Sequence, residues 1–347
     1  MKRFILFFIA FSLFFQTKIV SQVFKNTDFS LSVSPAILYT SGYLGEILYY
    51  SKSYDESKKI SFLEWQKNLF LYGAKIESRY KRFHFDSSFY TSIRGLNSGV
   101  MKDSDWLNTE NYEMKTTYSV GDNKIAENYD FGAEFYFDFN PKKNITISPS
   151  ISVQYQYDSF KRGDSKGWYG ESKYSKDGKM HWWYEEQAQE FPYYDTNTGK
   201  NYKLAGADYY RHSVLTWIGI RFAMKISENF KINYGFEIAP FSYFYAIDTH
   251  WGRDNSTMQF YGKHYKQIQY GIFPNIKMSL SSTIKLSDFF DINLIFISIF
   301  NTYIPKGTLS SDYIDGDKQN KYYRIGQATG IFDNTVYFGI GFKFKIL

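Results

Sequence analysis

The sequence predicts an all-β protein: a ten-stranded antiparallel transmembrane β-barrel with long extracellular loops. Three observations lead to this fold class. Apolar residues recur at every second position, 21% of the 347 residues are aromatic, and short connections alternate with long ones. Alternation is the period of a strand with one apolar face, and an outward apolar face with aromatic girdles is typical of a barrel in a membrane.

The alternation is clearest in the stretch that begins at Ile145. Its apolar positions are Ile145, Ile147, Pro149, Ile151, Val153, Tyr155 and Tyr157, with small or polar residues between them. The same alternation runs through 29–39 and 232–238. A soluble sandwich would bury the apolar face, whereas a membrane barrel turns it to lipid and keeps the polar face in the lumen. The high content of Phe and Tyr favours the barrel.

The connections alternate in length. Short turns are expected at 80–82, 140–144, 227–229 and 287–288, and long polar segments at 42–58, 94–128, 158–207, 246–258 and 306–332. This pattern separates ten antiparallel strands. Because outer-membrane barrels have short periplasmic turns and longer extracellular loops, we expect both termini in the periplasm and every long loop outside.

The first 21 residues have the three-part pattern of an export signal. Lys2 and Arg3 precede an apolar run at 4–15, which is followed by polar residues up to 18 and then by Ile19-Val20-Ser21. No linker-like stretch divides the remainder. We therefore expect a signal peptide at 1–21 and a single outer-membrane barrel domain at 22–347.

Composition excludes several kinds of chemistry. The absence of cysteine removes disulfides, thiolate metal sites and cysteine nucleophiles, and the histidines lack metal-ligand spacing, so we expect no metal. The net charge of +6 is roughly halved without the signal, and basic and acidic residues are interleaved, which argues against nucleic acid as a partner. A mean hydropathy of −0.42 argues against a helical membrane protein.

The first candidate cluster is Asp103-Ser104-Asp105-Trp106, in a predicted external loop. Carboxylates at i and i+2 project to one face of an extended chain. Two such carboxylates can share a proton or hold a water. An exposed loop or a cation ligand is the alternative interpretation.

The second cluster is Asp248-Thr249-His250. A carboxylate beside an imidazole fixes its tautomer and raises its basicity, as general-base catalysis requires; an ordinary surface pair is the alternative. Strict alternation from Ile232 would place both residues on the apolar face. A β-bulge or the onset of a loop before them would be needed to turn them inward, and Pro240 is compatible with a bulge.

With these clusters, the sequence resembles the omptins, the ten-stranded outer-membrane aspartyl-type endoproteases of Gram-negative bacteria. Asp103-Ser104-Asp105-Trp106 matches the family's D-x-D-W in its second external loop, and Asp248-Thr249-His250 matches its D-x-H in the fourth. Further similar stretches are Ser41-Gly42, Leu63-Glu64-Trp65 and Trp217-Ile218-Gly219. The resemblance covers nearly the whole mature chain.

The resemblance implies two pairs of residues across the barrel mouth. Asp103 and His250 would hold and deprotonate an attacking water, Asp248 would orient His250, and Asp105 would assist. Glu46 matches the acid of the family's pocket for a basic side chain and has the lumen parity of Ser30, Ser32 and Ser34; an ordinary lumen carboxylate is its alternative.

The sequence also departs from the family. Strongly dibasic omptins carry a second pocket acid where this chain has Ala246, so we expect a weaker preference for Arg or Lys. The family's lipopolysaccharide-phosphate residues are not clearly matched, since Lys161, Arg162 and Arg211 lie nearby but out of register.

We expect an endoprotease of the bacterial outer membrane, with its active site facing the exterior. Its partners would be peptide or protein substrates at the cell surface and outer-membrane lipid, and the chain would be a monomer. No cofactor is expected, although lipopolysaccharide or another outer-membrane lipid could be required for activity. The competing hypothesis is a non-catalytic surface barrel, either an adhesin or an inactive omptin relative.

Overall fold

Strands form most of the chain in the computed structural model, which describes residues 28–50, 58–197, 199–202, 207–251, 262–271, 275–301, 307–308 and 328–346. The strands are β1 (Phe29–Tyr49), β2 (Lys59–Gln66), β3 (Phe70–Tyr80), β4 (Phe83–Ser92), β5 (Asn97–Asp105), β6 (Thr117–Phe137), β7 (Phe139–Lys142), β8 (Ile145–Tyr169), β9 (Gln189–Phe191), β10 (Tyr193–Asp195), β11 (Lys200–Tyr202), β12 (Ala207–Lys225), β13 (Phe230–Trp251), β14 (Gly262–Gly271), β15 (Asn275–Lys285), β16 (Phe290–Asn301), β17 (Gly307–Thr308) and β18 (Ala328–Lys345). The predicted signal peptide at 1–21 lies outside the described residues.

The strands close into a ring of ten places. Several places hold two successive strands that pair with the same neighbour: β2 and β3 both pair with β1, β4 and β5 with β6, β14 and β15 with β13, and β16 and β17 with β18. The ring order is β1, β2/β3, β4/β5, β6, β8, β12, β13, β14/β15, β16/β17 and β18. Antiparallel pairing of β1 with β18 closes it, which confirms the ten-stranded barrel.

The apolar face of each strand points outward. One exposed apolar side chain can be taken from every place in the ring: Ile37, Ile76, Phe89, Phe131, Ile151, Ile218, Phe236, Leu280, Leu294 and Phe338. On the opposite face of β8, Ser148, Ser150 and Ser152 are buried. This arrangement, apolar outside and polar inside, is that of a barrel surrounded by lipid.

All four short turns predicted from sequence are present at one end, here named the turn end. The opposite end, the loop end, differs from the prediction because the strands continue far into the segments predicted as loops. β8 runs to Tyr169, for example, and β6 begins at Thr117. Alternation of polar and apolar residues fades above the lipid, where neither face needs to be apolar, but backbone pairing with both neighbours keeps the strands extended.

A bulge interrupts β13. Ile238 pairs with Ile218 and Phe241 pairs with Thr216, so Ala239–Pro240 face a single intervening residue of β12. A bulge adds one residue to one strand and therefore shifts which side chains face inward. Before it, Phe236 and Ile238 are exposed on the outer face.

Beyond the bulge, the inward face of β13 consists of even-numbered residues. Ser242, Phe244, Ala246 and Asp248 are all buried, whereas Phe241 is exposed. The bulge expected near Pro240 is thus confirmed, and it turns Asp248 into the lumen.

No helix among the described residues has the length and apolarity needed to cross a bilayer.

Candidate active site in the outer lumen

Asp103 and Asp105 lie on β5, not in a loop as the sequence predicted. Backbone pairing with β2 and β6 extends the strand to Asp105, and Asp103 is in register with Leu63 and Ser119. The Asp103 side chain is 6% exposed, and Met101, two residues earlier on the same face, is fully buried. The D-x-D pair therefore continues the inward face of a barrel strand.

Asp248 lies on β13, again on a strand and not in a loop. Its register partners are Tyr209 on β12 and Tyr265 on β14, and its side chain is 2% exposed. The backbone of His250 pairs with Ala207 and Lys263. The side chain of His250 lies outside the described part of the structure.

The two clusters belong to facing walls of the barrel. Asp103 is on the third place of the ring and Asp248 on the seventh, so the two strands are separated by four steps in one direction and six in the other. Strands this far apart in a ring of ten lie across the lumen from each other. The fold thus brings the D-x-D strand and the D-x-H strand to opposite sides of the outer lumen, the part of the lumen at the loop end.

Glu46 shares the outer lumen with both clusters. It is in register with Leu63, which is in register with Asp103, so Glu46 and Asp103 are two strand spacings, about 10 Å, apart along one row. Glu46 is 2% exposed. The lumen parity predicted for Glu46 is therefore correct.

Tyr209 links Glu46 to the Asp248 wall, and sequence reasoning missed it. It lies nine residues before Ile218 on β12, towards the loop end and well above the lipid-facing segment, and is 1% exposed. Burial raises the pKa of the Tyr209 hydroxyl, and the negative charge of Glu46 raises it further. Tyr209 is in register with Asp248, and its hydroxyl interacts with Glu46. This phenol therefore connects Glu46 to the wall that carries Asp248. The sequence contains no sign that separates Tyr209 from the many other tyrosines.

An aromatic layer lies at the level of this row. Trp65 stacks on Tyr209 with ring centroids 5.3 Å apart and on Phe160 at 6.2 Å. Trp65 and Phe160 are fully buried, as is Met101 beside Trp65 on β5. Packed aromatic rings thus bound the outer lumen, and their contacts hold rigid the strands that carry the acidic side chains.

The rim outside the site is also aromatic. Tyr50 donates a hydrogen bond to the carbonyl of Trp106 at 3.2 Å. Burial raises the pKa of Tyr50, and Tyr112 and Asp105 raise it further, which places Asp105 near this phenol. Lys59 lies 4.2 Å from the centroid of the Trp106 ring. Asp105 therefore lies at the edge of the site, above the buried Asp103.

Arg211 does not belong to the outer surface. It is fully buried and paired with Asp158 and Asp333 inside the lumen. Arg211 therefore does not lie among the surface residues near the expected lipid-phosphate site.

The described residues hold no group of three or more His, Asp or Glu side chains placed to bind a metal ion.

Fold and site together define a closed antiparallel β-barrel with buried carboxylates in its outer lumen. Among solved structures, the chain is similar to the outer membrane protease OmpT of Escherichia coli, with a TM-score of 0.71 and 14% identity over 91% of this chain and 96% of that one. At this identity, the likeness establishes the fold alone.

Two other outer-membrane proteins also match over most of their length. One is the toluene transporter TodX of Pseudomonas putida, with a TM-score of 0.27 and 5% identity over 92% of this chain and 90% of that one. The other is the attachment invasion locus protein Ail of Yersinia pestis, with a TM-score of 0.23 and 9% identity over 91% of this chain and 97% of that one. Scores this low carry no structural argument. No protein-family model and no curated protein sequence matches the chain.

Proposed function

We propose that the chain is an omptin-like endopeptidase of the bacterial outer membrane, which hydrolyses exposed peptide bonds near basic residues with an activated water. The observation that carries the proposal is the placement of Asp103 and Asp248 on facing strands of the same end of the lumen, each buried. The fold shared with a protein described as an outer membrane protease is consistent with it.

In the proposed mechanism, His250 is the general base. Positions 248 and 250 share one face of an extended strand, so Asp248 would hold the imidazole in the tautomer that leaves one nitrogen free to accept a proton. Asp103 would hold the water between the two walls. His250 takes a proton from this water as the oxygen attacks the carbonyl carbon, and then gives it to the leaving amine.

Asp105 would assist at the rim, where its carboxylate can position the water or the tetrahedral intermediate. The peptide is never bonded to the enzyme, so reagents against serine and cysteine proteases should have no effect. Activity should fall at acidic pH, because an imidazolium cannot accept the proton of the water.

Glu46 would bind the basic side chain of the substrate. A buried carboxylate favours a cation that can hydrogen-bond to it, and Glu46 lies in the same row as Asp103. Ala246, fully buried on the opposite wall, supplies no second acid. Preference for Arg or Lys would therefore be present but weak.

The outward apolar belt supports insertion in the outer membrane, with the loop end and the active site facing the exterior. The protein would act as a monomer on surface peptides, with outer-membrane lipid around it. Lipopolysaccharide is the lipid to test as an activator, and no soluble cofactor is proposed.

Digestion of a peptide library tests the proposal. Protein refolded in detergent, with and without lipopolysaccharide, is expected to release new peptide ends next to Arg or Lys, and Asp248→Asn protein should release almost none. If the folded parent leaves the library intact under both conditions, the chain is a non-catalytic surface barrel.

A further inference from the structure

Four charged residues form a layer across the lumen between the outer lumen and the turn end. Lys67 Nζ lies 3.0 Å from Asp158 and 3.4 Å from Asp333, and Arg211 lies 3.0 Å from Asp158 and also contacts Asp333. None of the four side chains is more than 3% exposed. We refer to Lys67, Asp158, Arg211 and Asp333 as the ion layer.

The ion layer joins walls that are far apart in the ring. Lys67 follows β2 at the second place, Asp158 is on β8 at the fifth, Arg211 is on β12 at the sixth and Asp333 is on β18 at the tenth. Two cations and two anions therefore bridge the lumen from several sides and neutralise one another. The side chains meet at the centre instead of lining an open ring.

Packed side chains lie against the ion layer. Asn128 donates a hydrogen bond to Asp158 at 2.6 Å. Nearby, Gln156 donates to Asp130 at 3.0 Å and to the hydroxyl of Tyr337 at 3.1 Å. Asn128 thus holds the Asp158 carboxylate in place, since a buried charge needs hydrogen bonds as well as opposite charges.

A separate chamber occupies the turn end. It is a cavity of about 450 Å³ lined by serines and by charged residues such as Lys75, Glu77, Asp86, Arg221 and Lys343. A polar space of this size holds water. The lumen thus contains a polar chamber at the turn end and the candidate site at the loop end, with the ion layer between them.

We propose that the ion layer is the permeability barrier of this barrel. Removing both cations would leave Asp158 and Asp333 buried without neutralising partners, and buried carboxylates stay ionised only when water enters the space around them. A hydrated constriction whose charges have one sign favours the passage of ions of the opposite sign. The inference does not depend on peptidase activity and would hold for a non-catalytic barrel.

Single-channel recording in a planar lipid bilayer tests the barrier with two complementary variants. Lys67→Ser/Arg211→Ser leaves the carboxylates and is expected to give discrete, cation-selective steps. Asp158→Asn/Asp333→Asn leaves the cations. Its steps should be less cation-selective than those of the first variant, or anion-selective. The parent should give no steps.

Lys75→Ser is the matched control, because Lys75 is also an ion-paired lysine of the lumen, bonded to Asp86 at 2.7 Å, but lines the chamber. It should be as silent as the parent. Heat-dependent mobility in gels and β-type circular dichroism establish that each variant is folded. If a double variant does not fold, Lys67→Ser and Asp333→Asn are recorded singly. Lys67→Ser should then give cation-favouring steps and Asp333→Asn anion-favouring steps. Folded variants that stay silent, a parent that conducts, or equal selectivity in the two charge classes would each overturn the proposal.

Discussion

Trp65 and Tyr209 stack inside the lumen, with ring centroids 5.3 Å apart and planes 19° from parallel. The two residues lie on places two and six of the ring, so the contact joins facing walls. Trp65 is in register with Met101, two residues before Asp103, and Tyr209 is in register with Asp248. The stack therefore fixes the position of the D-x-D wall relative to the D-x-H wall.

The bulge at Ala239–Pro240 should be essential for activity. Deleting Pro240 restores one-to-one pairing with β12, and a one-residue shift moves every later side chain of β13 to the other face. Asp248 would leave the lumen, and peptide hydrolysis should be lost while the barrel still forms. The measurement is turnover of a basic peptide, beside heat-dependent gel mobility.

Pro240→Ala is the matched control for this deletion, because it keeps the residue count of the bulge. It should retain most of the activity of the parent. A folded deletion variant with parental turnover would mean that the inward placement of Asp248 is irrelevant to catalysis.

The fold class could be predicted because membrane insertion imposes alternation on each strand, and Ile145 to Tyr157 display it directly. The lengths of the strands could not, since the upper parts of β5 and β8 face water on the outside and lose the pattern. Asp103 and Asp248 could be singled out as candidates because each belongs to an i, i+2 pair, with Asp105 and His250 as the second members. Tyr209, Lys67 and the partners Asp158 and Asp333 were missed because their contacts join strands that are distant in sequence.

Glu46 and Ala246 should set the preference for basic residues. A hydrogen bond to a charged group contributes about 1.5–3 kcal/mol, so Glu46→Gln should lower kcat/KM for Arg and Lys peptides by about tenfold to a hundredfold. Ala246→Asp should raise the preference for Arg or Lys over neutral residues. Competition between paired peptides, read by mass spectrometry, measures both effects.

Glu64→Gln is the control for Glu46→Gln, because Glu64 lies on the neighbouring strand and on the opposite face from buried Leu63 and Trp65. It should leave the preference unchanged. Equal cleavage of Arg and neutral peptides by the parent and by Glu46→Gln would remove Glu46 from the pocket.

His181 should make the third long connection sensitive to pH. Its Nδ1 lies 2.7 Å from Glu185 and its Nε2 2.8 Å from Asp177. Hydrogen bonds to Glu185 and Asp177 raise the pKa of His181 above its ordinary value. The protonated form is thus favoured in the folded loop, so the stabilisation is complete below the ordinary histidine pKa of about 6.5 and is lost as pH rises through the higher folded value.

Nuclear magnetic resonance titration of the His181 ring measures this pKa in the refolded protein. Asp177→Asn/Glu185→Gln should return it towards 6.5. Protease nicking between 171 and 188 should increase as the pH rises through the titration in the parent and be less sensitive to pH in the double variant. A His181 pKa at or below 6.5 in the parent would show that Glu185 and Asp177 do not stabilise the protonated ring.

The central claim is that Asp103 and Asp248, from facing walls, act as one hydrolytic unit. The most direct test is a double-mutant cycle on kcat with Asp103→Asn, Asp248→Asn and the combined variant, using Asp288→Asn, an exposed aspartate at the turn end, as the control. General acid–base groups contribute about 10²–10⁴-fold, so each single variant should lose activity on that scale. Because residues of one catalytic unit are non-additive, the combined variant should be little worse than the poorer single variant, with Asp288→Asn unchanged. Folded single variants that retain parental kcat, or losses that simply multiply in the combined variant, would contradict the account.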